Sequence, residues 1–198
     1  MISNLLRGWT SKFLDSMACF IARTGMPPNL LTAMGFVLNV VVAYVLAQGH
    51  MQAGGLLVIV AGLFDALDGA LARSAGRTSR FGAFLDSTLD RLSEAAIYFG
   101  LLAFYTQRGA RWEGLLIYAA VIGSLMVSYA RARAEGLGIE CEVGLFTRFE
   151  RVAVLALGLL SQRMLIALWA LAILANFTAL QRIYHVWRVT RSEGGGKD

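Results

Sequence analysis

The sequence predicts an all-α integral membrane protein: six transmembrane helices plus an N-terminal interfacial amphipathic helix. Three observations predict it. Of the 198 residues, 57% are hydrophobic and only 16% are charged, where a soluble domain carries about a quarter charged residues. The apolar residues run in long blocks rather than in stripes, as they do when lipid is the solvent. These blocks fill most of the chain and leave no room for a second, soluble domain.

The elements follow in order. Residues 1–24 form a juxtamembrane amphipathic helix, because Ile2, Leu5, Leu6, Trp9, Phe13, Met17, Phe20 and Ile21 recur at helical spacing. Arg7, Lys12, Asp15 and Arg23 interrupt that run, so it lacks the continuous apolar centre of a signal peptide. Residues 25–191 are expected to form a six-helix transmembrane domain, with spans at 30–49, 54–74, 81–105, 114–135, 144–160 and 165–188. Pro27 and Pro28 stand at the entry to the first span, where a helix start tolerates proline. Turns are expected at Gly49 to Gly55 and at the polar stretch Ser74 to Arg80, and residues 192–198, with three glycines, form a flexible tail.

Six spans place both termini on one side. Apart from Arg108, Arg111 and Arg163, the 18 Lys and Arg lie on that side or at the depth facing it. The positive-inside rule makes the side cytoplasmic. The chain is thus predicted to be a multi-pass protein of the cell membrane. A net charge of +5 points to anionic lipid at that surface and not to nucleic acid. Cys19 and Cys141 are far apart, match no zinc spacing and read as bystanders. His50 and His185 are likewise separated.

The second and third spans contain what a bilayer excludes. Asp65 and Asp68 are three apart on one helix, and Asp86 and Asp90 four apart on the next. Either spacing puts a pair on one helix face. The short loop between the helices predicts antiparallel neighbours, so that four carboxylates converge near the cytoplasmic surface. One aspartate at the bilayer centre costs roughly 2.5–3.5 kcal/mol. Singly, each would read as a partner of Arg73, Arg77, Arg80 or Arg91. Four together call for hard divalent cations held by oxygen, which commonly also bind substrate phosphates. Paired metals suit phosphoryl displacement. Gly69 and Gly82 leave room for a backbone to approach a substrate.

The pattern Asp65-x2-Asp68-Gly69-x2-Ala72-Arg73-x8-Gly82-x3-Asp86-x3-Asp90 resembles the signature of the CDP-alcohol phosphotransferase family at every fixed position and spacing. The resemblance implies a six-helix membrane enzyme, usually a homodimer. It implies that Asp65, Asp68, Asp86 and Asp90 hold two Mg2+ ions, with Mn2+ as a substitute, and that Asp90 also acts as the general base. Gly69, Arg73 and Ser79 would contact the CDP part of a CDP-diacylglycerol-type lipid. Asn29, Leu30, Leu31 and Thr32 resemble a second nucleotide-contacting segment of the family.

A further polar set lies at the same ends of later spans. Ser128, Arg131, Arg133 and Glu135 close the fourth, Arg148, Glu150 and Arg151 open the fifth, and Arg188 and Arg191 end the sixth. Arginines there serve as topological anchors, but beside a metal site they also suit a phosphorylated acceptor, because guanidinium grips phosphate bidentately. Ser128 and Arg131 share a helix face, whereas Arg133 is rotated away from Arg131. Ser128-Tyr129-x-Arg131-Ala132-Arg133-Ala134-Glu135, with the later Glu150-Arg151, is similar to the phosphatidylinositol-phosphate synthase branch. That similarity implies that Ser128, Arg131, Arg133, Arg151 and Arg191 line an inositol-phosphate pocket; Arg131 stands where the branch more often has Lys. Glycerol 3-phosphate is the rival acceptor. A divalent-cation transporter and a hydrolytic metallophosphatase remain as other classes that intramembrane carboxylates could serve.

Overall fold

The computed structural model describes the backbone of residues 27–74 and 79–194, and the side chains of these except residues 28, 68–74, 193 and 194. Among the described residues six helices follow one another: α1 Pro28–Ala47, α2 Met51–Ser74, α3 Arg80–Gln107, α4 Arg111–Glu135, α5 Arg148–Leu160 and α6 Met164–Gly194. There is no strand among the described residues. Among the described residues three stretches are long and apolar enough to cross a membrane, namely Asn29–Ala47, Arg111–Glu135 and Met164–Ser192, and Met51–Leu67 is apolar but shorter. The chain is therefore a helical protein of membrane character.

Local sequence explains most helix ends. Proline opens α1 behind an extended Pro27, since its missing N–H would have no partner in the first turn. The Ser79 hydroxyl accepts from Gly82 N at 2.9 Å and caps α3. Thr147 and Glu150 form a reciprocal capping box at the start of α5.

Each expected span matches one helix, with shifted ends. The turn expected over 49–55 is shorter, because α2 begins at Met51. Gly49, at φ 87°, turns the chain by itself. Helix α5 starts at Arg148, later than residue 144, and α6 continues to Gly194, so residues 192–194 of the expected tail are helical. The expected amphipathic helix at 1–24 lies outside the described residues.

One expectation about neighbours is corrected. Among the described residues α2 and α3 do not pack substantially on each other; α1 packs against both. The helices form a closed ring in the order α3, α1, α2, α5, α6, α4 and back to α3. Gly100 permits this, since a Cβ there would lie 2.2 Å from the Ala43 carbonyl oxygen of α1. That closeness draws α3 onto α1 more effectively than the short loop draws it onto α2. Val42, Leu46, Ile97, Leu101, Leu155 and Leu171 belong to the buried apolar cluster within the ring.

The connection between α4 and α5 is strapped to α6. Leu145 N donates to Gln181 Oε1 at 3.4 Å, Phe146 N donates to the Thr178 hydroxyl at 3.2 Å, and Arg182 Nε donates to Val143 O at 2.9 Å. Arg182 Nη1 also donates to Val127 O of α4 at 2.5 Å. One buried arginine thus ties α4, the strap and α6 together. It shapes one wall of the site.

Candidate active site

Helix α3 presents Asp86, Asp90 and Glu94 at successive four-residue steps, so all three lie along one face. Opposite them α5 presents Arg148 and Arg151, one turn apart. These two helices meet through side chains. Arg148 Nη1 lies 2.5 Å from Asp90 Oδ2, and Arg148 Nη2 lies 2.5 Å from Asp65 Oδ2 on α2. One guanidinium therefore brings together a carboxylate from each expected pair. The α1 backbone passes behind Asp65, where a Cβ on Gly35 would be 3.3 Å from Asp65 Oδ1.

Deeper in the ring, Arg151 Nε and Nη2 donate to Glu94 Oε1 and Oε2 at 2.7 and 2.8 Å. Side-chain exposure is 2% for Arg151 and 9% for Glu94, so this is a forked ion pair held away from solvent. Arg151 Nη1 and Arg148 Nε are buried and have no partner among the described residues. Orphaned donors in such a place are rare in native structures and call for an explanation.

A cavity of about 300 Å³ opens beside these pairs, lined in part by Asp90, Ser128, Arg131, Arg148, Arg151 and Arg182. Among the described residues its lining holds five arginines and three carboxylates. The excess positive charge suits an anion.

The predicted residues divide accordingly. Asp65 and Asp90 meet through Arg148, and Asp86 is half-buried one turn before Asp90. The side chains of Asp68, Gly69 and Arg73 lie outside the described residues. Ser79 and Asn29 come together at the start of α3: a Cβ on Gly82 would lie 3.0 Å from Asn29 Oδ1 and 3.0 Å from Ser79 Oγ. Leu30 is exposed, Leu31 is buried and Thr32 is intermediate. Ser128, Arg131 and Arg151 line the cavity, with Arg131 also donating to Glu135 at 2.7 Å.

Arg133 and Arg191 are not among the residues that line that cavity. Two residues along a helix rotate a side chain to nearly the opposite face, which carries Arg133 away from Arg131. The Arg191 guanidinium lies over the Trp187 ring, 5.3 Å from its centre.

Glu94 and Arg182 were not singled out as site residues by sequence reasoning, and Arg148 was named only among the arginines at the helix ends. Glu94 continued the four-residue ladder of Asp86 and Asp90, and Arg182 was a charge inside an expected span. Both were signals.

Among the described residues, no three Asp, Glu, His or Cys side chains form a ready metal cluster. The donors that do converge are nevertheless those a hard divalent ion takes: carboxylate oxygens from two helices, gathered on a shared positive charge. They fit such an ion once the Arg148 guanidinium gives way.

Comparison with known proteins decides the family. The family model for CDP-alcohol phosphatidyltransferases matches residues 26–189. The chain belongs to the CDP-alcohol phosphatidyltransferase family. Membership makes it an enzyme that transfers a phosphatidyl group from a CDP-linked donor. It is 39% identical over 192 residues to the archaetidylinositol phosphate synthase of Methanothermobacter thermautotrophicus, covering 93% of this chain and 94% of that one. It is 33% identical over 192 residues to the phosphatidylinositol phosphate synthase of Mycobacteroides abscessus, covering 92% of this chain and 87% of the relative. In structure it resembles the Mycobacterium tuberculosis phosphatidylinositol phosphate synthase solved with CDP-DAG bound. The TM-score is 0.81 at 31% identity, over 89% of this chain and 94% of that one. The same mycobacterial enzyme has also been solved with manganese and citrate, and there the TM-score is 0.79 at 31% identity, over 88% of each chain.

Proposed function

We propose that this phosphatidyltransferase moves the phosphatidyl group of CDP-diacylglycerol, or of an ether-lipid analogue, onto inositol phosphate and releases CMP. The observation that carries the acceptor choice is the arginine-rich cavity beside Asp90, where an alcohol bearing its own phosphate fits.

Asp65, Asp68, Asp86 and Asp90 would hold two magnesium ions, with manganese as a substitute. Bound there, the ions supply charge neutralisation for the donor pyrophosphate and the departing CMP. The rest belongs to the chain. Asn29, Leu30, Leu31 and Thr32, with Gly69, Arg73 and Ser79, bind the CDP moiety at the starts of α1 and α3 and the end of α2. Ser128, Arg131 and Arg151 hold the acceptor's phosphate, which directs its hydroxyl towards α3. An Asp90 carboxylate oxygen takes the hydroxyl proton. The alcohol oxygen then forms a bond to the phosphorus that carries the lipid, and the bond from that phosphorus to CMP breaks.

In the membrane, all six helices span, and residues 1–24 lie along the interface as an amphipathic helix. Both termini and the site face the cytoplasm, and two copies form a homodimer. The positive-inside distribution and the placement of the cavity among the arginine-rich helix ends support this orientation.

The test supplies purified protein with CDP-diacylglycerol, Mg2+ and a panel of alcohols, and follows CMP. Inositol phosphate is expected to release CMP fastest. Preference for glycerol 3-phosphate would assign the chain to phosphatidylglycerophosphate synthesis, and CMP release without any alcohol would make it a hydrolase. Metal flux in liposomes with no CMP release would make it a transporter.

A further inference from the structure

Glu94 is outside the signature aspartates, yet it is one turn beyond Asp90 on the same face of α3 and is 8% exposed. Its two oxygens take Nε and Nη2 of Arg151, at 2.7 and 2.8 Å, from a helix on the other side of the ring. A forked pair fixes the guanidinium plane as well as its position. Of the three guanidinium nitrogens, Nη1 alone is left, buried and with no partner among the described residues. Both residues line the cavity that also holds Ser128 and Arg131.

Stability by itself is a weak reason for the pair. A buried ion pair is often no better for stability than apolar residues of the same size, because desolvation offsets the attraction. Orientation accounts for it better. A free arginine side chain explores many rotamers, and freezing them on ligand binding costs affinity; a guanidinium already clamped avoids that cost. We propose that Glu94 is a positioning residue that holds Arg151 so that Nη1 faces the phosphate of the acceptor alcohol. This rests on the acceptor being phosphorylated, as proposed above. Glu94 does not touch the acceptor; it acts through Arg151.

The test is a pair of Michaelis titrations on the full-length enzyme in detergent, one varying inositol phosphate and one varying CDP-diacylglycerol. Glu94→Gln, which keeps the shape and removes the charge, should raise the acceptor KM tenfold or more and leave the donor KM within twofold. In an Arg151→Ala background the same substitution should add nothing further, because its route is already gone. Should Glu94→Gln not fold, Glu94→Asp keeps the charge but draws the guanidinium back by a methylene, and should raise the acceptor KM alone. Equal rises in both constants, an unchanged acceptor KM, or a full effect in the Arg151→Ala background would each overturn the positioning role. A wild-type enzyme that uses free inositol as well as inositol phosphate would instead overturn the acceptor assignment, and the inference with it.

Discussion

Asp65 and Asp90, on helices that do not pack substantially on each other, lie at the same 2.5 Å from the two ends of a single guanidinium. Arg148 thus occupies the position that a metal ion held by both carboxylates would take. The two cations would compete for the same oxygens. Arg148→Gln should therefore tighten Mn2+ binding by about tenfold, roughly 1.4 kcal/mol, when followed by spin resonance on purified protein without substrates. Unchanged or weaker Mn2+ binding would show that Arg148 does not compete.

The same relationship predicts how the protein behaves when stripped of metal. A chelator should stop CMP release, and added Mg2+ should restore it. Helicity should persist throughout, because Arg148 still spans the two carboxylates. Circular dichroism and the CMP assay, run on one sample, measure both; unfolding on chelation would contradict the bridging role.

Asp90 is expected to be the base. Asp90→Asn should lower turnover by about 10²–10⁴, while binding of the CDP-lipid, measured by calorimetry, is partly retained. Turnover close to that of the wild type would remove Asp90 from proton transfer.

Arg182 holds two backbone carbonyls, Val127 O and Val143 O, from within the bundle. Arg182→Met would leave both without this partner, at a cost of about 1–3 kcal/mol for each buried group left unsatisfied. Thermal unfolding in detergent should show a clear drop in Tm. No drop would mean that the strap is held by Thr178 and Gln181 alone.

At Gly100 an added Cβ would meet backbone, the Ala43 carbonyl, and no flexible side-chain tip. Gly100→Val should destabilise by about 1–3 kcal/mol through overpacking, and activity should fall with stability because α1 sits between α2 and α3. A stable, active Gly100→Val protein would show that the α1–α3 contact can open without disturbing the site.

Much of the molecule was legible early, and particular residues show why. The helices were visible because apolar blocks and turn residues act over short stretches of chain. Asp86 and Asp90 were placed on one face by helical geometry alone. The same geometry separated Arg133 from Arg131, although the family likeness had grouped them. Glu94 and Arg182 escaped notice because a single charge in an apolar stretch does not announce its partner. Their partners lie 57 residues away for Glu94 and 39 and 55 for Arg182.

The chain by itself determined six helices, the faces that carry the acidic residues, and the family, since each depends on spacing along one segment. Tertiary packing decided that α1 enters between the aspartate-bearing helices, and that Arg148 and Arg151 reach across the ring to Asp90 and Glu94. The reason is the range of the forces involved. Helical periodicity is set within a few residues. Ring order depends on which backbones can approach closely, as α3 does α1 at Gly100, and an ion pair depends on where that order leaves the side chains.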